Sequence, residues 1–264
     1  MEKVSVITVN WNVADSLTRC LDSIWATKYP NLEIIVIDNA SSVPIHPQQV
    51  KFIQNSTNIG LPRAWNQGLK MATGNYVLIL NPDTRLPKDF FTKAIAYLKS
   101  HPEVGVLGPK FTDPDGTPQG SVFPEPSIVA AIREYWLGQK GLTQKYIPKT
   151  DNRTPITINA ISGACMFFPK STVVKFGKFT EKVFMYYEDL DYCRRARRAG
   201  LKIVFHPGIT IIHEHGASSA KSGGAALKYL RDASLWYNGP IKHYLMWFIS
   251  WSGQKFRKLV EAIR

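Results

Sequence analysis

No stretch of this sequence stays apolar for the roughly 18 residues that a bilayer-spanning helix needs. Cysteine is scarce: Cys20, Cys165 and Cys193 are the only three, and no two stand at metal-site spacing. An odd, scattered set argues against a disulfide framework and suits reduced cytosolic thiols held in a core. Internal repeats are lacking, and nothing before residue 220 has low complexity. The chain enters an apolar run by Val4 with no basic leader, signal segment or small-residue cleavage site, which predicts a protein that is not secreted.

Acid is the charge in short supply. Asp and Glu number 20 against 33 Lys and Arg, a net charge of +13. Residues 221–264 hold eight of the cations against Asp232 and Glu261, so the tail alone supplies +6. A second basic run is "CRRARRAGLK" at 193–202. Polyanions, anionic lipid and phosphorylated substrates are the partners such charge attracts, although a solvated surface explains the 193–202 run equally well. At 44% hydrophobic and 12% aromatic, the 264 residues can bury a sizeable core as one large domain or two fused halves.

The first hundred residues alternate strand and helix signals. "VSVITV" (4–9), "EIIVID" (33–38), "VKFIQN" (50–55) and "YVLIL" (76–80) read as buried strands. Between the first two, Leu17, Cys20, Leu21, Ile24 and Trp25 fall on one helical face, with Asp15 as a candidate N-cap. A further helix starts at Pro62 and stops at Gly74, with Trp65, Leu69 and Ala72 sharing a face. The alternation predicts a mostly parallel, doubly wound sheet. The second half is less regular. It offers helices near 89–99, 127–137 and 185–200, strands near 104–108 and 160–169, and two short strands, "KIVF" and "ITII".

In such sheets ligands bind outside the carboxyl ends of the strands. Asn10 with Asn12, Asp38 with Asn39, and Asn81 with Asp83 stand at those ends and are expected to rim one crevice. In "LNPD" Pro82 ends the strand, and if the chain stays extended the side chains of Asn81 and Asp83 point the same way. Their oxygens would suit Mg²⁺ or Mn²⁺, although a simple turn explains Asn-Pro-Asp as well. Glu188, Asp189 and Asp191 crowd a helix start after the aromatic "FMYY". Capping the helix dipole accounts for one or two acids, and a carboxylate in a partly apolar cleft can serve as a general base. His213 follows the strand "ITII" and is either a surface residue or a neutral-imidazole metal ligand.

Taken in order, "VSVITVNWN", "VIDNASS", "NIGLPRAWNQGLKMATGNYVLILNPD", "SGACMFFPK", "YYEDLDYCRRARRAG" and "HEHGAS" resemble the family 2 inverting glycosyltransferases. The likeness is to the rhamnosyltransferase-like branch that uses Asn-Pro-Asp, and it covers roughly residues 4–219. It implies a GT-A fold: a Rossmann-like, mostly parallel α/β sheet with a nucleotide-sugar-binding half (1–100) and a fused acceptor-binding, catalytic half (101–219), and a helical tail (220–264) follows outside the likeness. It also implies a dTDP- or UDP-linked sugar donor and a divalent metal. Asp38 and the backbone near Thr8 to Asn10 would meet the nucleotide, with Asn12, Asn39, Asn81 and Arg63 around the donor. Asp83 and His213 would hold the metal, with His215 as the fallback. Asp189 would be the catalytic base, and Glu188, Asp191, Tyr187 and Gly163 would face the acceptor, a glycan or polyprenyl-linked hydroxyl.

Residues 225–264 interleave aromatic, apolar and basic side chains. That pattern fits a helix on an anionic membrane surface, which would place a cytoplasmic enzyme at the inner face of the membrane. A helix packed on the domain, or on a second copy in a homodimer, fits it too. Three other classes compete. A sugar nucleotidyltransferase would carry a Gly-rich, Arg-containing loop after the first strand, where this chain has "NWNVADS". A nucleic-acid-binding protein would explain +13, but acids on the sheet edge would repel phosphate without metal, so nucleic acid is not expected as a partner. The third is a catalytically dead sugar-binding module.

Overall fold

A computed structural model of the chain describes residues 1–43, 47–151, 153–214 and 224–263. The elements of the first half are β1 (Val4–Asn10), α1 (Ala14–Ala26), β2 (Leu32–Asp38), β3 (Lys51–Gln54), α2 (Leu61–Met71), β4 (Tyr76–Leu80), β5 (Thr84–Arg85) and α3 (Phe90–Ser100). Next come β6 (Val104–Thr112), β7 (Pro118–Gln119), β8 (Val122–Phe123), α4 (Ile128–Tyr135), β9 (Ile156–Ile158), β10 (Ala160–Ile161) and β11 (Cys165–Pro169). The chain closes with α5 (Lys170–Phe176), α6 (Glu188–Arg198), β12 (Lys202–His213), α7 (Ala225–Asn238) and α8 (Pro240–Ile263).

Among the described residues the main sheet runs β3-β2-β1-β4-β11-β6-β12-β5, with β7 paired to β6 and β9 to β12. The strands from β3 to β4 are parallel, as are β6 and β12, while β11 lies antiparallel between β4 and β6. The central strands are apolar throughout because helices cover both faces. Val4, Val6, Val36 and Leu78 pack with α1 and α3 on one face. Ile7, Val9, Ile37 and Ile79 pack with α2 and α6 on the other. That is the period-two alternation of a strand, with both sets apolar. The order reverses at β1, which has β2 on one side and β4 on the other, so the crevice opens at the carboxyl ends of these strands.

Four local expectations are corrected. Asp15 is not an N-cap; Val13 holds that position and Asp15 lies inside the first turn. Trp25 is 38% exposed rather than part of the buried face. The 160–169 segment is two strands, β10 and β11, broken around Gly163. "KIVF" and "ITII" form one strand, β12, whose pairing with β6 slips between His206 and Thr210. Pro207 and Gly208 there cannot continue a regular ladder, so the sequence reads as two pieces.

The tail is helical, and part of it is packed. Tyr237 is buried with the α2 and α6 face. Gly253 lets α8 approach α4: a Cβ at this position would lie 2.6 Å from the Tyr135 carbonyl oxygen. Trp136 stacks on Phe256 at 5.4 Å and donates from Nε1 to the Ile249 carbonyl at 3.2 Å. Arg257 adds a hydrogen bond to the Glu134 carbonyl. No described helix is long and apolar enough to cross a membrane.

Candidate active site

β1 and β2 end in register, with Asn10 beside Asp38. Asn10 Nδ2 donates to Asp38 Oδ2 at 2.7 Å and to Ser41 Oγ at 3.0 Å. Asp38 Oδ1 accepts from the Ser41 N–H at 2.8 Å. Asn12 turns the chain with φ 58°, and its Oδ1 accepts from both the N–H and the hydroxyl of Ser42. The Asn39 N–H donates to the Asn10 carbonyl, and its Oδ1 accepts from Asn55 and from the Ile59 N–H. One network therefore joins Asn10, Asn12, Asp38 and Asn39 along a single rim. Thr8, just inside it on β1, is buried with its hydroxyl unpaired. Arg63 sits near the start of α2 and reaches the Glu181 carbonyl at 3.5 Å.

The second cluster forms where β4 ends. The Asn81 N–H is tied to the Ala164 carbonyl, and Thr84 Oγ1 donates to the Asn81 carbonyl at 2.7 Å. Pro82 and Asp83 thus lie in a turn, so an extended-chain argument does not fix where their side chains point. β5 then pairs with the end of β12, setting His213 opposite Thr84. The Glu214 N–H donates to the Asp83 carbonyl at 2.7 Å. His213 Nε2 consequently stands 3.6 Å from Asp83 Oδ1. Gln119 fixes the imidazole: its amide donates to the His213 carbonyl at 2.7 Å, and its Oε1 lies 3.0 Å from His213 Nδ1. With the Nδ1 proton assigned to that contact, Nε2 turns its lone pair toward Asp83.

Asp83 Oδ1 is buried without a hydrogen-bond partner, and burial pushes the carboxyl up to about 6. An orphaned buried carboxylate oxygen beside an imidazole lone pair fits a divalent cation. Among the described residues no third His, Cys, Asp or Glu completes a metal cluster. A cation here would need substrate or water oxygens as well, which is the habit of Mg²⁺ and Mn²⁺ at phosphates. His215, the fallback ligand, lies outside the described residues.

Across the crevice the chain enters α6 through two residues of positive φ, Tyr186 at 71° and Tyr187 at 64°. Backbone strain of this kind persists where the surroundings fix the geometry. It brings three acids into the first turn of α6. Asp189 Oδ2 accepts from the Gly163 N–H at 2.9 Å, and Oδ1 from its helix neighbour Leu190 at 2.8 Å. Gly163 is required for this approach, because a Cβ there would lie 2.6 Å from Trp65 Cη2. Burial raises the pKa of Asp189 against those two N–H donors. Glu188 is pushed well above the carboxylate range, by burial first and by the Asp189 charge second, and its Oε2 has no partner. Two buried carboxyls side by side disfavour double ionisation, so the pair titrates together. Asp191 is engaged elsewhere, with Arg195 at 2.8 Å. The Tyr187 ring packs on Tyr237 at 5.0 Å.

Lys145 completes the site, and sequence reasoning missed it. Its ammonium lies 5.4 Å from the Phe111 ring and 5.8 Å from the Phe123 ring. Burial lowers its pKa, while the charges of Asp189 and Asp83 pull it back up. Lys145 thus lies within electrostatic reach of both carboxylates. It belongs to an irregular loop between α4 and β9 with no motif around it, so only the fold reveals its role.

The family model for glycosyl transferase family 2 matches residues 5–173. The chain belongs to that family. An N-acetylglucosaminyl-diphospho-decaprenol L-rhamnosyltransferase of Mycobacterium tuberculosis is 25% identical over 90% of this chain and 87% of its own. A dTDP-rhamnosyl transferase of Shigella flexneri is 23% identical over 75% of the chain and 64% of its own length. In fold, the family 2 chain matches a mannosyltransferase from Pyrobaculum calidifontis in complex with GDP-Man and Mn²⁺. The TM-score is 0.64 at 18% identity, over 99% of this chain and 75% of that one. GalNAc-T7 with UDP, GalNAc and Mn²⁺ matches with TM-score 0.61 at 16% identity, over 81% of this chain and 44% of that one. The fold is the GT-A fold that the motifs imply, and the protein is a glycosyltransferase of family 2.

Proposed function

We propose that this glycosyltransferase is metal-dependent and inverting, moving a sugar from a dTDP- or UDP-linked donor to a hydroxyl of a glycan or polyprenyl-linked acceptor. Rhamnose is the first sugar to test, given the relatives' names. The observation that carries the reading is the two buried clusters, Asp83 with His213 and Asp189 with Gly163, both within electrostatic reach of Lys145. In this reading residues 1–100 hold the donor and 101–219 the acceptor. Asp38, Asn10, Asn12, Asn39 and Thr8 grip the nucleoside, and Asn81 and Arg63 border it.

Asp83 and His213 would hold Mg²⁺ or Mn²⁺, which stabilises negative charge on the departing diphosphate. Asp189 takes the proton of the acceptor hydroxyl as that oxygen bonds to the anomeric carbon. The bond from the anomeric carbon to the nucleoside diphosphate breaks in the same displacement, so the configuration inverts. Lys145 faces the growing charge in a site largely closed to water. Glu188 and Tyr187 line the acceptor side, with Asp191 holding α6 through Arg195. Turnover of a donor panel with Mn²⁺ or Mg²⁺, with the product anomer read by NMR, tests the proposal. Retention of configuration, or full turnover in chelator, overturns it. Lys145→Met is expected to lower turnover by about 100-fold. It should also shift the acid limb of the pH profile upward, since the Lys145 charge lowers the Asp189 pKa. An unmoved profile would make Lys145 a packing residue.

The tail supports a place at the cytoplasmic membrane face. α8 exposes Trp247, Phe248 and Trp251, and the tail carries +6. Aromatic rings flanked by cations suit the lipid interface. Deleting the tail from residue 236 would remove the buried Tyr237, so point changes are the cleaner probe. The chain is expected to sediment with anionic vesicles and be partly released by salt. Trp247→Ser with Phe248→Ser should weaken this about 10-fold or more, each ring contributing by roughly 25 cal/mol per Å². If the double variant instead turns a dimer into a monomer, a second copy covers this face.

A further inference from the structure

A cavity of about 470 Å³ lies along the C-terminal half of α6. The C-terminal half of α6, the α7–α8 junction and Glu125 enclose it. Four cations line it, Arg194, Arg197, Arg198 and Lys242, against the single carboxylate of Glu125. Glu125 accepts from Arg194 at 2.6 Å, from Arg197 at 2.5 Å and from the Tyr237 hydroxyl at 3.1 Å. That spends one negative charge on two guanidinium groups and leaves Arg198 and Lys242 unmatched. Arg197 Nε is buried without an acceptor. Burial lowers the pKa of Lys242 and the Arg194 charge lowers it further, while Glu125 pulls it back. Cations at a helix C-terminus answer the helix dipole, but Lys242 belongs to another helix, so the dipole does not explain the whole set.

The cavity is connected to both ends of the proposed reaction. Tyr187, at the acceptor side of the crevice, packs on Tyr237. The Arg194 guanidinium lies 3.3 Å from the centre of that same Tyr237 ring. Arg197 lies two helical turns beyond Asp189, about 12 Å along the axis. On the other side, Lys242 follows Ile241, which opens the exposed face of α8 through Tyr244, Leu245 and Phe248. Those four residues are spaced as one helical stripe. A cation-lined cavity thus joins an apolar stripe at one edge and the base-bearing helix at the other.

We propose that this cavity receives the diphosphate of a polyprenyl-linked acceptor, with the prenyl chain leaving along the α8 stripe and the glycan reaching Asp189. The proposal rests on the reading of Asp189 as the base facing the acceptor. Guanidinium groups in a concave, partly desolvated site bind phosphate oxygens through paired hydrogen bonds. A free diphosphate would use the same cations but not the stripe.

The test uses the full chain in chelator, with neutral vesicles carrying polyprenyl diphosphate and matched vesicles carrying phosphatidylserine at equal charge. The wild type is expected to bind the first at least about 10-fold more tightly. Arg198→Gln with Lys242→Gln should lose that preference but keep its melting temperature, and Arg198→Lys with Lys242→Arg should retain it. No preference in the wild type, or a preference kept by the Gln variant, overturns the proposal. Equal loss on both lipids makes the cavity a general charge patch and also overturns it. Inorganic pyrophosphate that binds the cavity as tightly as the lipid would assign it to a free anion instead. Because vesicle binding needs no donor, failure of sugar transfer with every donor would count against the catalytic reading and leave this result to stand separately.

Discussion

Asp189→Asn is expected to lower turnover by about 100- to 10,000-fold while donor affinity stays within a few-fold. The substitution keeps the size of the side chain but leaves an acceptor oxygen for only one of the Gly163 and Leu190 N–H groups. It removes the ability to take a proton, together with the charge. Burial has raised the Asp189 pKa, making it a stronger base than an exposed carboxylate. Glu188 is the control, since it is the neighbouring buried carboxyl and has an unpaired oxygen. If Glu188→Gln proves the more damaging change, the base is Glu188, and the Gly163 contact serves only to start the helix. Single-turnover kinetics with calorimetry of donor binding separates the two.

Asp83→Asn is expected to abolish the gain in nucleotide affinity that Mn²⁺ supplies, and at the same time to stabilise the fold. Both effects come from the same buried, unpartnered oxygen. The carboxyl is raised from its ordinary 3.8 to about 6. Between those values the folded chain holds more protons than the unfolded one, so stability falls as pH rises through the window. Above pH 6 the cost is fully present, on the order of 3 kcal/mol at about 1.4 kcal/mol per unit. The neutral Asn should therefore melt a few degrees higher than wild type at pH 7.5, and the difference should shrink toward pH 4. Undiminished Mn²⁺-linked affinity, or a lower melting temperature at pH 7.5, would remove Asp83 from the metal.

The parallel half of the sheet was legible because its strands are apolar on both faces and end in polar residues. Asn10, Asp38 and Asp83 could be named from that pattern alone. β11 was harder to place, since an antiparallel strand inserted between β4 and β6 leaves no trace in local periodicity. β12 looked like two strands because Pro207 and Gly208 carry a turn signal that the long ladder with β6 overrides. Tyr186 and Tyr187 gave no warning of positive φ, a conformation that bulky residues adopt only under tertiary constraint.

What the sequence by itself determined is the kind of chemistry on offer. Period-two and helical apolar patterns are local, so they specify strands, helices and which strand ends carry oxygen ligands. Motifs such as "LNPD" and "YYEDLD" likewise keep their acids within a few residues. What only the tertiary structure decided is which of these groups meet. His213 reaches Asp83 because β12 pairs with β5 across more than a hundred residues. Lys145 comes within electrostatic reach of both carboxylates from a loop without a motif. The tail divides into a packed side against α4 and an exposed aromatic side, which composition cannot separate. Such contacts depend on chain closure and on the geometry of packed layers, and neither is written in the neighbours of any one residue.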